Sequence, residues 1–352
     1  MKVSILITTY NLEKYIRTTL DSVIGQKTDY EYEILVGDDG SSDSTVDIIN
    51  EYVSRFPGVI SLYQMPREEG VEYNRVERSA ANRINLLSHA EGEYISFLDG
   101  DDFYTSKNRI DEMVKILDDP ANSSCVMCAH NLVMYYDKGE TLSTPFVDDV
   151  TALGEPLCRA IKRHTWALKD YWPAIFIQAN AFMIRNLYKH EEAKNLLLNT
   201  PALMSNFDDN NIIFWAFTFG KMYYIPDCHG AYRQIEGSSW NGIDELKKHC
   251  SNIIGYAVEQ QVNPLADTLS ETRHYMDFSY LYLRMKDLNE ENCMPFYKTA
   301  KDLDLKTALY IYNLPNMDQP YIDEYRKMME RSCNSLEGFK RRRALKKLFK
   351  RY

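Results

Sequence analysis

Short apolar runs alternate with segments of helical spacing over the first part of the chain, and this alternation constrains the fold more than any other feature. The apolar runs have the length of buried strands and cover residues 3–7, 34–36, 59–63 and 94–98. In the segments between them, apolar residues recur every three or four positions, as they do on one face of a helix. Strands that alternate with helices in this way predict an α/β fold, with a mainly parallel sheet covered by helices on both faces.

Polar clusters rich in aspartate and hydroxyl side chains follow three of these strands, at residues 8–11, 37–45 and 99–102. Because ligands bind at the carboxyl ends of parallel strands, these clusters should gather at one edge of the sheet. In the first cluster, Asn11 is placed as the N-cap of the next helix. This cluster contains no glycine, which excludes the G-x-G-x-x-G turn of a dinucleotide-binding site.

The third cluster places three carboxylates, those of Asp99, Asp101 and Asp102, within four residues at the end of an apolar strand. Clustered carboxylates repel one another and are costly to bury unless a cation or a hydrogen-bond donor compensates them. A divalent cation with hard oxygen ligands, Mg²⁺ or Mn²⁺, resolves this conflict and commonly binds a substrate's phosphates as well. The alternative for an isolated pair is a solvated loop whose aspartates cap the next helix.

Charge and cysteine content narrow the class of protein. The formal net charge of −10 argues against a nucleic-acid partner, since phosphate binding needs a basic surface. The seven cysteines lack the spacing of a disulfide framework, and Cys125 and Cys128 fall in an apolar run that is typical of a buried strand. With neither a signal-peptide pattern nor an apolar run of membrane-spanning length, the sequence predicts a cytoplasmic protein.

Three segments carry a family resemblance. They read SILITTYN at residues 4–11, VGDDGSSDST at 36–45 and AEGEYISFLDGDD at 90–102. In this order and at these strand ends, they resemble the family 2 glycosyltransferases of the GT-A fold, strongly over residues 1–105 and less so to about 240. The resemblance implies a Rossmann-like GT-A sheet and a metal-dependent, inverting transfer from a nucleotide-diphosphate sugar, with a UDP-sugar as the favoured donor.

The resemblance also implies roles on the donor side. Thr9, Tyr10 and Asp39 would line the nucleoside pocket, with Asp39 accepting a hydrogen bond from the base. Asp99 would lie near the ribose and the metal, and Asp101 would hold Mn²⁺ or Mg²⁺ on the diphosphate.

One donor-side motif departs from the family pattern. Where the family has Arg-Asn-x-Gly, this chain has RINL at residues 83–86. Arg83 is retained and the other motif residues are lost, so the role of Arg83 as a phosphate or base contact stays open.

A second acidic pair, at Asp208 and Asp209, precedes an apolar helical segment and resembles the pair that opens the family's acceptor-side helix. The implied role of Asp209 is that of general base. Inverting transfer needs such a group, because a carboxylate must take the acceptor hydroxyl's proton as the oxygen attacks. The alternative is an N-cap pair, and both can hold if Asp208 caps the helix while Asp209 reaches the site.

Further along, Ile235 stands where the family has a histidine that can bind the metal, and His229 is left open as its replacement. Trp166 is expected either to stack on a sugar ring or to lie in the core. Residues 174–184 predict another strand.

The expected domains are a GT-A catalytic domain at 1–240, a helical region at 241–338 and a basic amphipathic tail at 339–352. Residues 340–352 are expected to contact an anionic membrane at its inner face. The alternative is a tail that only adds solubility. The expected partners are a sugar nucleotide and a saccharide or lipid-linked acceptor, without nucleic acid, and a homo-oligomer stays open.

These features predict a glycosyltransferase of cell-surface or extracellular glycan synthesis. The alternative is a non-catalytic nucleotide- or carbohydrate-binding protein on the same fold. A nucleotidyltransferase would need basic residues in the turn after the first strand, and that turn has none.

Overall fold

The structure, a computed structural model, describes residues 1–136, 140–141, 164–168, 178–235 and 262. The predicted alternation is present in the first part of the chain. Its elements are β1 (Val3–Thr9), α1 (Ile16–Ile24), β2 (Tyr32–Asp38), α2 (Thr45–Arg55), β3 (Ile60–Gln64), α3 (Arg75–His89), β4 (Tyr94–Asp99), β5 (Phe103–Tyr104) and α4 (Arg109–Asp118). The later elements are β6 (Cys125–Tyr136), β7 (Glu140–Thr141), β8 (Thr165–Trp166), β9 (Phe182–Arg185), α5 (Glu191–Leu198), α6 (Pro201–Ser205), α7 (Asp209–Phe217) and β10 (Lys221–Gln234).

The strands form one sheet with the order β3-β2-β1-β4-β9-β6-β10-β5. The first four of these strands run parallel to one another. Strand β9 is antiparallel to both β4 and β6, whereas β6 and β10 are parallel to each other. The predicted mainly parallel sheet is therefore confirmed, with β9 as a reversed strand at its centre.

Two apolar clusters lie on the two faces of the sheet, and each is closed by helices, as predicted. On one face α1, α2 and α4 bury residues such as Leu20, Ile49 and Val114. On the other face α3 and α5 to α7 bury residues such as Leu86 and Trp215. Helices on both faces leave the sheet's carboxyl-end edge as the place where polar side chains meet.

The structure corrects one local prediction and confirms another in part. Asn11 is not an N-cap, because α1 begins only at Ile16. Asn11 has a φ of 53°, a left-handed conformation unlike the extended one of an N-cap. Its side chain instead accepts a hydrogen bond from the Ser42 amide at 2.8 Å. Among the described residues of the predicted strand 174–184, the part from Phe182 onward lies in β9, whereas Ala179–Ala181 forms a 3-10 turn.

Other predictions for the core were confirmed. Trp166 is fully buried and lies 4.9 Å from Tyr224 between ring centroids, so it belongs to the core. Cys125 and Cys128 are buried free thiols, and burial raises the pKa of both.

The helical region at 241–338 lies outside the described residues apart from residue 262. The tail at 339–352 also lies outside them, so both stay sequence predictions. Among the described residues, none of the helices combines the length and the apolar character needed to cross a membrane.

Candidate active site

The register of the parallel strands brings the predicted polar clusters together. Thr8 of β1 lies opposite Gly37 of β2 on one side and opposite Asp99 of β4 on the other. Thr9 lies opposite Asp38. The three strands therefore end at the same level, and the clusters that follow them share one edge of the sheet.

The turn after β2 is shaped by Asp38. Its carboxylate accepts hydrogen bonds from the amides of Gly40 at 3.0 Å and Ser41 at 2.8 Å. The Asp43 carboxylate accepts a hydrogen bond from the amide of Thr45, the first residue of α2, at 3.0 Å. Asp38 and Asp43 thus have turn and helix-start roles, and Asp39 is the remaining carboxylate of this segment.

Two arginines that sequence reasoning missed hold Asp39. Arg67 donates to one carboxylate oxygen and Arg78 to the other. The Arg67 guanidinium also lies 4.0 Å from the centre of the Tyr10 ring, and that ring is 39% exposed. Tyr10 and Asp39 are thus close together, because the Arg67 guanidinium contacts both of them. Arg67 comes from the loop after β3, and nothing in its sequence neighbourhood indicates this contact.

Thr9 is buried, and its hydroxyl has no hydrogen-bond partner among the described residues. It lies in β1 directly before Tyr10, and its carbonyl accepts from the Asp39 amide at 2.9 Å. The three residues expected to line the nucleoside pocket are therefore neighbours.

Asp99 sits at the centre of the edge. One of its carboxylate oxygens accepts from the Thr8 hydroxyl at 2.9 Å and from Arg83 at 2.8 Å. The other lies 3.4 Å from the side-chain amide of Gln178. Arg83 is itself buried, and burial acts to lower its pKa, but Asp99 and Asp209 outweigh this effect and raise it.

Asp101 and Asp102 differ in their surroundings. Burial and the charge of Asp99 raise the pKa of Asp101 to about 7. Asp102 is buried more deeply, and it accepts from Gln178 at 2.6 Å and from the Arg233 amide at 2.8 Å. Burial and the charge of Asp101 raise the pKa of Asp102 well above the usual range. Asp102 is thus held by two hydrogen-bond donors, whereas the charges of Arg233 and Arg83 partly oppose the rise in the pKa of Asp101.

The side chains present fit a divalent cation that is shared with a substrate. Within the described residues, no group of three or more histidine, cysteine, aspartate and glutamate side chains could hold a metal without other ligands. The repulsion between Asp99 and Asp101, however, is the kind that a cation relieves. Magnesium-type sites commonly use one or two carboxylates and take their other ligands from phosphate and water.

The two aspartates of the second acidic pair have different surroundings, and the capping role that the sequence allowed for Asp208 is confirmed. Asp208 caps α7, because its carboxylate accepts from the Asn211 amide at 3.0 Å. Asp209 lies 4.0 Å from Arg83, and one of its carboxylate oxygens is buried without a hydrogen-bond partner among the described residues. Burial, opposed by Arg83, raises the pKa of Asp209 to about 7. Arg83 thus lies between Asp99 and Asp209.

The histidine left open by the sequence lies elsewhere. His229 is 3.0 Å from Glu112 on α4 and stacks edge-on against His130. Among its described contacts there is none with Asp99 or Asp101, and His229 therefore stays outside the set of residues that would hold a cation.

Comparisons with known proteins bear on the family and the fold. The family model described as "Glycosyl transferase family 2" matches residues 4–191. Poly(ribitol-phosphate) beta-glucosyltransferase of Bacillus spizizenii is 37% identical over 108 residues, which are 30% of this chain and 16% of that protein. An uncharacterized Mycobacterium tuberculosis protein is 34% identical over 136 residues, which are 39% of this chain and 36% of that protein. The chain thus matches about a third or less of the length of these relatives.

The fold is also found among solved structures. Residues 1–349 of Staphylococcus aureus TarS in complex with UDP align with a TM-score of 0.54 and 17% identity, over 94% of this chain and 90% of that chain. The UDP-GlcNAc complex of the same protein aligns with a TM-score of 0.53 and 18% identity, over 94% and 91%. The likeness confirms the expected GT-A fold.

Proposed function

The chain belongs to glycosyl transferase family 2, and on that premise we propose that it transfers a sugar from a nucleoside-diphosphate donor to an acceptor hydroxyl with inversion. One observation carries the proposal. Asp99 and Asp101, suited to a diphosphate and its cation, share an edge of the sheet with Asp209, suited to act as a base, and Arg83 lies between Asp99 and Asp209.

The donor site is built for a base with a ring N–H between two carbonyls. Asp39 offers an acceptor, and Arg67 and Arg78 add donor groups on both sides of it. Uracil presents the complementary pattern, and Tyr10 provides a ring on which it can stack. A UDP-sugar is therefore the favoured donor, in agreement with the nucleotide in the TarS complexes.

Asp99 and Asp101 would hold Mn²⁺ or Mg²⁺ against the donor's diphosphate. When bound, the cation neutralises charge that develops on the departing diphosphate. Asp209 takes the proton of the acceptor hydroxyl while the acceptor oxygen forms its bond to the anomeric carbon and the bond from that carbon to the diphosphate breaks. A pKa of about 7 for Asp209 suits a base that works near neutral pH.

The acceptor class that we propose is a hydroxyl of a cell-surface polymer. Support comes from the relative whose name specifies a poly(ribitol-phosphate) acceptor. A lipid-linked saccharide is the other acceptor to be included in the assay.

The test is an assay with labelled sugar nucleotides, with and without Mn²⁺, against a polyol-phosphate polymer, an oligosaccharide and a lipid-linked saccharide. We expect sugar release or transfer that needs the cation and is lost in Asp101→Asn. Nucleotide binding without any turnover would instead support a binding protein on the same fold. Turnover by Asp101→Asn at the wild-type rate would contradict the assignment of the cation site.

A further inference from the structure

A short turn before β9 joins the carboxylate loop at 99–102 to the rest of the site. It consists of Gln178 and the 3-10 turn Ala179–Ala181. We infer, on the basis of the proposed function, that Gln178 is a positioning residue, which holds the carboxylate loop in the arrangement that receives the donor's diphosphate and cation.

The orientation of the Gln178 side-chain amide is set by the backbone of the turn that follows it. The side-chain oxygen of Gln178 accepts a hydrogen bond from the backbone N–H of Asn180 at 3.1 Å, which directs the NH₂ group toward the carboxylate loop. That group donates to Asp102 at 2.6 Å and lies 3.4 Å from Asp99. Only 2% of Gln178 is exposed, so water cannot replace these donors if the side chain is removed.

The position of Asp101 depends on the contacts of Asp102. The second carboxylate oxygen of Asp102 accepts from the Arg233 amide, and the Arg233 side chain donates to the carbonyl of Asp101 at 2.7 Å. Asp101 is thereby held on a loop that Gln178 and Arg233 support from two sides. Without Gln178, repulsion among the carboxylates would be less compensated, and the loop would turn away from its present arrangement.

The turn itself is anchored from below by Arg109. The guanidinium of this buried residue donates to the carbonyls of Asn180 at 3.0 Å and Phe182 at 3.2 Å. It also donates to Ser96 of β4 and His130 of β6. Because three strands meet at this one side chain, Gln178 projects from a rigid base, as a residue that orients metal-binding carboxylates should.

The experiment measures UDP binding by calorimetry with and without Mn²⁺, for the full chain and its variants. We expect Gln178→Ala to weaken Mn²⁺-dependent UDP binding about 10- to 100-fold, the usual effect of losing a residue that orients metal ligands. Gln178→Glu has the same shape but replaces a donor with a fourth acidic group, so it should weaken binding at least as much. UDP binding without Mn²⁺ should change little.

Asn186→Ala is the matched control. Asn186 is a buried amide that donates to the carbonyls of Ala90 at 3.2 Å and Gly92 at 2.9 Å, before the other end of β4. Its loss should lower the thermal unfolding midpoint and leave Mn²⁺-dependent binding intact.

Three results would overturn the inference. The first is wild-type binding in Gln178→Ala, or in Gln178→Glu if the alanine variant does not fold. The second is an equal loss in the Asn186→Ala control. If the wild-type protein binds no nucleotide and turns over no sugar nucleotide, the proposed function fails, and the inference with it.

Discussion

Arg83 lies between two carboxyls, at 2.8 Å from Asp99 and 4.0 Å from Asp209. Because the closer contact is with Asp99, its charge compensates Asp209 only in part, and burial still raises the pKa of Asp209 to about 7. Arg83, the one residue of its family motif that this chain retains, thus contacts Asp99 and lies near Asp209. With a pKa of about 7, Asp209 can exchange a proton near neutral pH.

The first prediction concerns the base. Asp209→Asn should lower the transfer rate by about 10²–10⁴, the range for removal of a general base. Donor binding, measured by calorimetry with UDP and Mn²⁺, should persist because Asp209 belongs to the acceptor side. An equal loss of donor affinity would contradict this role.

The second prediction concerns stability at the same residue. The pKa of Asp209 is raised from 3.8 to about 7, so the folded protein binds this proton more tightly than the unfolded chain. The contribution of the Asp209 carboxyl to the free energy of unfolding therefore falls as the pH rises from 4 to 7. Above pH 7 the carboxyl is ionised, and the destabilisation caused by burying its charge stays at its full value. Asp209→Asn removes this titration. The variant should gain on the order of 1–2 kcal/mol over wild type at pH 8, and this gain should shrink toward pH 4.

The measurement is the free energy of unfolding of both proteins between pH 4 and 8, without ligands. Asp47→Asn is the control, because Asp47 is an exposed aspartate in the first turn of α2. A difference between Asp209→Asn and wild type that stays constant across this range would show that the carboxyl does not titrate as described.

At the scale of elements, α3 carries both Arg78 of the proposed base pocket and Arg83 of the proposed transfer site. Helix α3 packs on β2 through a close contact between Gly37 and Asn82. In this contact the Asn82 side chain donates a hydrogen bond to the Gly37 carbonyl at 2.8 Å. A Cβ on Gly37 would lie 2.0 Å from the Asn82 side-chain oxygen and 3.1 Å from Leu86. The absence of a side chain at position 37 therefore sets the height of α3 above the sheet.

The third prediction follows from this contact. Gly37→Ala should lower the free energy of unfolding by about 1–3 kcal/mol, as overpacking commonly does, and should weaken UDP binding because α3 shifts. Adding Asn82→Ala removes the closest clash and should restore part of the binding. Chemical denaturation and UDP calorimetry measure the two effects. Additive losses in the double variant would contradict the packing argument.

The sequence was informative about elements whose signals are local. The apolar runs predicted strand ends at residues 7, 36 and 98, and the observed ends at Thr9, Asp38 and Asp99 lie one or two residues later. The edge that these ends share follows from parallel topology. The capping role of Asp208 likewise follows from its place before an apolar helix.

Contacts set by tertiary structure were not predictable in this way. Arg67 reaches Asp39 from a loop, and Gln178 reaches Asp102 across a chain separation that no periodicity reports. Asn11 was mistaken for a cap because its polar side chain and position fit either role, and only the approach of the 37–45 turn decides between them.

At the scale of the whole molecule, the reversed strand β9 joins two parts of the sheet. On one side, β3, β2, β1 and β4 supply the carboxylates and the pocket of the proposed donor site. On the other side, β6 and β10 follow β9 in the sheet. The chain after β9 continues to α7, which begins at Asp209. The turn that precedes β9 contacts the carboxylate loop directly through Gln178. The proposed donor and acceptor sides are thus connected through one central strand.

The tail at residues 340–352 carries eight lysines and arginines in a chain of net charge −10. Leu345, Leu348, Phe349 and Tyr352 would form one apolar stripe if this segment were helical. Such a tail suits an anionic membrane surface, where each basic residue contributes roughly 1 kcal/mol. We therefore propose that it holds the enzyme at the inner face of a membrane, beside a lipid-linked or surface-polymer acceptor.

The fourth prediction tests this proposal by co-sedimentation with vesicles. The full chain should sediment with anionic vesicles at low salt, less so at high salt, and not with neutral vesicles, because the attraction is screened beyond a Debye length. A chain that ends at Gly338 should stay in solution and retain UDP binding, since the proposed pocket lies within residues 9–101. Equal sedimentation of both forms, or of neither at low salt, would refute a membrane-binding tail.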